Sequence, residues 1–220
     1  MKDEIFSVIT DYGEFTLDYF LKDDVLKEIP IIGPVFSLIK ISKDIKDRIF
    51  IEKLKSFMDN VDKDQKWKNK FKNENECNKI SKQLLYIINS SDDDEKLKLI
   101  GKAFNFFIRG EISKDEYFYL NNMINKAFFP YLKLLLEIDE SDNRFKNDGK
   151  KYNYFGVAHL LSIGLIDETG HTMMTVDKNN KFTPPSIIVS VNSYGDFVKL
   201  LLEDNKDQTR ACLKKCVNDH

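Results

Sequence analysis

Arginine is scarce in this chain. Of 34 basic side chains in 220 residues, four are Arg48, Arg109, Arg144 and Arg210, and the remaining thirty are lysines. Lysine is a hydrated point charge, whereas phosphates and base edges favour the bidentate guanidinium fork. A strongly nucleic-acid-binding surface is therefore not the first expectation. Cysteine is equally sparse: Cys77, Cys212 and Cys216 are odd in number and widely split, which excludes a disulfide framework. The nine glycines never form GxGxxG, GxxxxGK[ST] or GxSxG, so no phosphate-cradling loop and no nucleophile elbow is written locally. HExxH and CxxC are absent as well. The eleven uncharged residues Ile29 to Ile39 are too few for the roughly 20 that a membrane span requires. The start, Met1 to Phe15, is acidic and lacks the basic and apolar regions of a signal peptide, so a cytoplasmic protein is expected, with peripheral membrane contact as the variant.

What is present points to a folded protein. Apolar residues make up 42% of the chain and aromatics 12%, against a formal charge of −2, enough apolar material to exclude a disordered chain. Charged residues at 32% are above the usual quarter and describe a well-solvated surface.

The first two-thirds reads helical. Leu17, Leu21, Val25 and Ile29 recur at helical spacing until Pro30, Gly33 and Pro34 interrupt them. A second helix is expected from about Val35 to Met58, with Leu38, Ile41, Ile45, Ile49, Leu54 and Met58 inward. Asp62–Asn78 is polar apart from Trp67 and Phe71, four apart, which suggests a surface helix clipped down by two rings. Further helices run through Ile80, Leu84, Ile87 and Ile88, then through Leu97, Ile100, Phe104 and Phe107, with Gly110 suited to the C′ position. Asp92 with Glu95, and Ser113 with Glu116, stand at capping-box spacing. The helix after Ser113 is expected to pass through Tyr117, Leu120, Ile124 and Phe128 before Pro130 restarts it.

Composition shifts at 139–151, DESDNRFKNDGKK, a charged linker. Beyond it, Asn153–Ser162 reads as an apolar helix ending at Gly164, Asp167–Gly170 as a turn, and Thr172–Val176 and Ser186–Val191 as strands. The stretch 177–185 between those strands reads as a polar loop. Asn192 and Ser193 should cap a last helix, Tyr194–Leu202. The expected class is mainly α, α+β overall. Its parts are a helical bundle (1–138), the linker (139–151), a small α+β module (152–202) and a polar tail (203–220).

Each chemical motif is weaker than its structural alternative. Glu168 and His171 have di-iron spacing, but that site takes two such pairs on helices. Cys212, Cys216 and His220, four apart, could join Cys77 around zinc, yet they sit in a lysine-rich tail. Asp92, Asp93 and Asp94 lack the glycine of a calcium loop and suit a helix start. His159, on the apolar helix, is expected to be structural. No catalytic residue, metal ligand or cofactor is therefore assigned, and the chain is read as non-enzymatic.

Two segments could meet a partner. Eleven residues, Ile29 to Ile39, carry no charge and are followed by Lys40, Lys43, Lys46 and Arg48, partly offset by Asp44 and Asp47. Ile29, Ile31, Ile32, Val35, Phe36 and Leu38 form either a buried corner between helices or a shallow membrane-inserting hairpin. The module after the linker, with Leu160-Leu161-Ser162-Ile163-Gly164-Leu165-Ile166 leading into a two-stranded wing, resembles the closing half of a winged helix. That resemblance implies Lys150, Lys151, Tyr152 and Asn153 as nucleic-acid contacts at the start of a groove-entering helix. No arginine lies in that helix to read guanine.

The runs IPIIGPVFSLIKISKDIKDRIFIEKL and EKLKLIGKAFNFFIRGEISKDEYFYLNNMI, together with LLSIGLID, resemble a group of uncharacterised bacterial and prophage-type helical proteins. The resemblance implies no site; it implies a setting of phage defence or prophage biology. The expectation is a non-enzymatic interaction or regulatory protein with a protein partner. A membrane-associating effector acting through 29–41, or a winged-helix DNA-binding regulator, are the alternatives.

Overall fold

Helix signals and hydrophobic spacing resolve into seven helices and five short strands in a computed structural model that describes residues 45–62, 74–138, 144–146, 151–178, 181–183 and 185–203. The fold is mainly α, with a small β component that, among the described residues, lies in the second half. Two compact units, Met1–Tyr117 and Phe118–His220, divide within one helix, α4 (Lys114–Lys126).

In the first unit, α1 (Ile45–Met58) packs against both α2 (Glu74–Ser90) and α3 (Asp94–Arg109). Its inner face is Ile51, Leu54, Phe57 and Met58; Ile49, expected inside, is exposed. At about 100° per residue, Ile49 lies roughly 140° from Leu54 and roughly 180° from Met58 around the helix, so one inward stripe does not hold all three. Ile80, Leu84 and Ile88 of α2 meet this core as expected. Phe57 meets Phe104 edge-on at 5.6 Å, and Phe107 stacks on Tyr117 at 5.2 Å between ring centroids. Offset and edge contacts of this kind add to the stabilisation from area burial.

The connection from α3 to α4 follows its sequence signals closely. Ser113 and Glu116 form the reciprocal capping box, with Ser113 N–H donating to Glu116 Oε2 (2.6 Å) and Glu116 N–H to Ser113 Oγ (3.2 Å). Gly110 adopts φ 77°, the left-handed conformation that a helix end requires. The cap of α3 differs from the expected one. Asp93, not Asp92, is extended and accepts from Glu95 N–H at 2.7 Å, while Asp92 turns to Lys96. Among three consecutive aspartates, composition does not choose the cap; the backbone angle does. Asn105 ties the end of α1 to α3 by accepting from Asp62 N–H (2.7 Å) and donating to Asn60 O (2.9 Å).

In the second unit, α5 (Phe129–Leu132) and a 3-10 turn (Lys133–Leu136) follow α4. Next come β1 (Arg144–Lys146), α6 (Lys151–Ile163), β2 (Ile166–Thr172), β3 (Thr175–Val176), β4 (Phe182–Thr183), β5 (Ser186–Val191) and α7 (Ser193–Glu203). The sheet has order β1-β5-β2, all antiparallel, and β3 pairs with β4 as a separate ribbon. Leu132, Leu135, Val157, Leu160, Leu165, Val189 and Val198 form the core of this unit.

Several expectations change here: the expected strand Thr172–Val176 is divided between β2 and β3, and the expected loop 177–185 contains β4. The stretch read as a linker contributes β1, whose Phe145 lies opposite Ile187. The expected turn at Asp167–Gly170 is strand: β2 runs through it, with a bulge between Glu168 and Gly170. Asp and Gly disfavour strands when isolated, but pairing with the apolar β5 overrides that preference. Asn192 caps α7 as expected, accepting from Gly195 N–H at 3.1 Å, and also donates to Gly164 O at 3.0 Å. Gly195 itself is enforced by contact: a Cβ there would lie 2.0 Å from the Leu165 carbonyl oxygen.

Candidate interaction surface

The chain between α4 and α5 builds an exposed aromatic surface. Helix α4 stops at Lys126, and Phe128 is extended (φ −77°, ψ 119°), which suits the residue before a helix whose first turn holds Pro130. Phe128 was expected on the buried stripe of α4; leaving the helix two residues early turns it outward. Its backbone N–H has no helical acceptor and donates instead to Nε2 of His159 on α6, at 3.1 Å. The imidazole thus links two elements of the second unit. Tyr131 stands between them, 5.1 Å from the Phe128 ring and 5.5 Å from His159. Phe155 stands four residues before His159 on α6, with its ring 6.2 Å from that of Tyr154; it is 56% exposed and Phe128 54%.

A second apolar surface lies on the β3–β4 ribbon. Between β2 and β5 the chain makes the β3–β4 ribbon, in which Val176 lies opposite Phe182. Met173, Met174, Val176 and Phe182 are 79, 59, 58 and 57% exposed. The turn is closed by Asp177 N–H to Lys181 O (3.1 Å) and by Lys181 N–H to Asp177 Oδ1 (2.8 Å). Asp167 and Glu168 are exposed at the start of β2, opposite Ser190 and Val189 of β5.

The residues singled out from sequence are placed unevenly. Ile29, Ile31, Ile32, Val35, Phe36, Leu38 and Lys150 lie outside the described residues, as do Trp67, Phe71, Cys212, Cys216 and His220. Lys151, Tyr152 and Asn153 open α6. Glu168 and His171 approach to 3.7 Å across the bulge, both well exposed. Among the described residues no group of three or more His, Cys, Asp or Glu side chains could hold a metal ion. No described helix is long and apolar enough to cross a membrane.

Sequence reasoning missed both apolar surfaces. The available signal was Met173-Met174 and Phe182 inside segments otherwise rich in Asp, Lys and Asn. No protein-family model matches the chain, and neither a curated protein nor a solved structure matches it.

Proposed function

We propose that this chain is a non-enzymatic, regulatory interaction protein that binds a protein partner through Phe128, Tyr131, Phe155 and His159. The observation that carries this reading is the exposed aromatic cluster fixed by the Phe128–His159 hydrogen bond. Aromatic side chains dominate the energetics of protein interfaces, and a ring held in place before binding loses less entropy on association. The cytoplasm and a setting of phage defence or prophage biology belong to the same proposal and rest on the resemblance of the sequence runs. DNA binding through the winged-helix-like module has less support: the stem of its wing presents Asp167 and Glu168, and phosphates disfavour exposed carboxylates.

Affinity capture from the native host tests the reading. The full chain should retain one stoichiometric protein, and Phe128→Ser with Phe155→Ser should release it while leaving the melting temperature unchanged. Retention by the double variant would sink the assignment of this surface.

A further inference from the structure

The acceptor that holds Phe128 is a titratable group. We propose that His159 is a pH-sensitive clasp on the aromatic surface: the neutral imidazole orders Phe128, and protonation at Nε2 in mildly acidic solution releases it. Its consequence for partner binding rests on the reading of that surface given above, whereas the clasp itself is a property of the chain alone.

Nε2 accepts the Phe128 N–H at 3.1 Å, so the bond requires a lone pair on that nitrogen, with the single ring proton on Nδ1. A proton added at Nε2 turns the acceptor into a donor and sets two donors against each other. Protonation and the bond therefore exclude each other. An imidazole in water ordinarily titrates near pH about 6.5, which places the exchange in a range that cells reach. His159 is half-buried, so protons reach it without unfolding. The bond lies at the surface, where water takes over the freed N–H. Phe128 O also accepts the Tyr131 N–H at 2.8 Å, which keeps the start of α5 in place and confines the change to the junction with α4.

Among the described residues no ion pair fixes the charge state of the ring. Helix α6 packs against α5, the 3-10 turn, β1 and β2. The acids on these elements are Glu137, which closes the 3-10 turn, and Asp167 and Glu168 of β2; none of them forms an ion pair with His159 among the described residues. The basic groups are Lys133 of the turn, Arg144 and Lys146 of β1, and His171 of β2, with Lys126 at the end of α4. Helix α6 itself carries Lys151, Tyr152 and Tyr154. Lys133 is engaged over the Phe129 ring at 5.1 Å. The Tyr131 ring, 5.5 Å from the imidazole, is within the distance at which an aromatic ring attracts a cation. The charged form therefore keeps one contact as it gives up the other.

Titration of the isotope-labelled full chain from about pH 7.5 to about pH 5, followed by NMR, tests it. The His159 ring nitrogens report protonation, and the Phe128 amide proton reports the bond. The two should move with one midpoint, and protection of that amide from exchange, corrected for its intrinsic pH dependence, should fall about fivefold. His159→Gln offers an uncharged acceptor that does not titrate and should hold the Phe128 amide at its neutral-pH position throughout. His159→Leu should show the released position at every pH.

A Phe128 amide that stays in place while His159 titrates overturns the clasp, as does an imidazole that stays neutral down to about pH 5. An amide that moves equally in His159→Gln does the same, because another group would then be responsible. If a variant fails to fold, the parent titration decides alone. No partner is present in this experiment. A clasp that opens while Phe128→Ser with Phe155→Ser still retains the captured protein would leave the clasp standing and remove only the aromatic-surface reading.

Discussion

Nε2 of His159 accepts the backbone N–H of Phe128 at 3.1 Å, thirty-one residues away, and so supplies the acceptor that the end of α4 does not. Replacing it by His159→Leu keeps an apolar body of similar bulk but leaves that N–H to solvent. The expected cost is about 1 kcal/mol, or about 3 °C in melting temperature for a chain of this size. The restrained Phe128 ring would be freed, so partner affinity should fall further than stability. Thermal melting and partner titration check the two effects separately. An unchanged melting curve would show that the bond adds nothing to the fold.

Lys96 is 2% exposed, yet its ammonium reaches Asp92 Oδ1, one turn earlier and 75% exposed, at 2.6 Å. The hydrogen bond from Lys96 holds the Asp92 carboxyl below its usual range, against the opposing effect of partial burial. A carboxyl with a depressed folded-state pKa contributes stability that is present above the unfolded value of about 4 and is lost as pH falls through the folded value. Asp92→Asn should therefore cost up to about 1 kcal/mol at neutral pH, discounted for solvent screening, with the difference from the parent shrinking below pH about 4. Lys96→Met should abolish the same pH-dependent component. Urea unfolding at pH 7 and at about pH 3 measures both; a difference that does not change with pH would contradict the pairing.

Asn121, on α4 beyond Tyr117, is wholly buried, and neither polar atom of its side chain meets a hydrogen-bond partner among the described residues. A buried amide without a partner loses its hydration and gains nothing in return. Asn121→Leu, which has the same number and branching of side-chain heavy atoms but bulkier methyl groups, should raise the melting temperature by up to about 3 °C, equivalent to about 1 kcal/mol. Calorimetry of the two chains decides, and a lower melting temperature would mean that the amide is satisfied in solution.

Local signals were legible wherever the chemistry is itself local. The Ser113–Glu116 box, Gly110 after α3, Asn192 before α7 and Pro130 restarting the helix each depend on residues within one turn, and each is where the spacing put it. The Asp92–Asp93–Asp94 run shows where this stops. Any of the three can accept a backbone N–H, and the choice of Asp93 frees Asp92 for a lysine that the core has buried.

The candidate surfaces were largely illegible for a related reason. Phe128 continues the apolar spacing of α4, so the pattern assigns it to the core; the helix ends first, and His159 from a distant segment supplies the acceptor that lets it end there. The wing residues sit among polar neighbours and read as loop until β3 and β4 pair and bring Val176 opposite Phe182.

Among the described residues, most helix positions, the caps at Gly110, Ser113 and Asn192, and the mainly α class with a small β module were thus determined by the sequence itself, because propensity, capping and 3.6-residue periodicity act over a few residues. Strand status for Asp167–Gly170, the recruitment of 144–146 to β5, the burial of Lys96 and the exposure of Phe128 were decided only by the tertiary structure. Those outcomes turn on contacts between segments tens of residues apart, where pairing and packing outweigh local preference by energies that no short window of sequence contains.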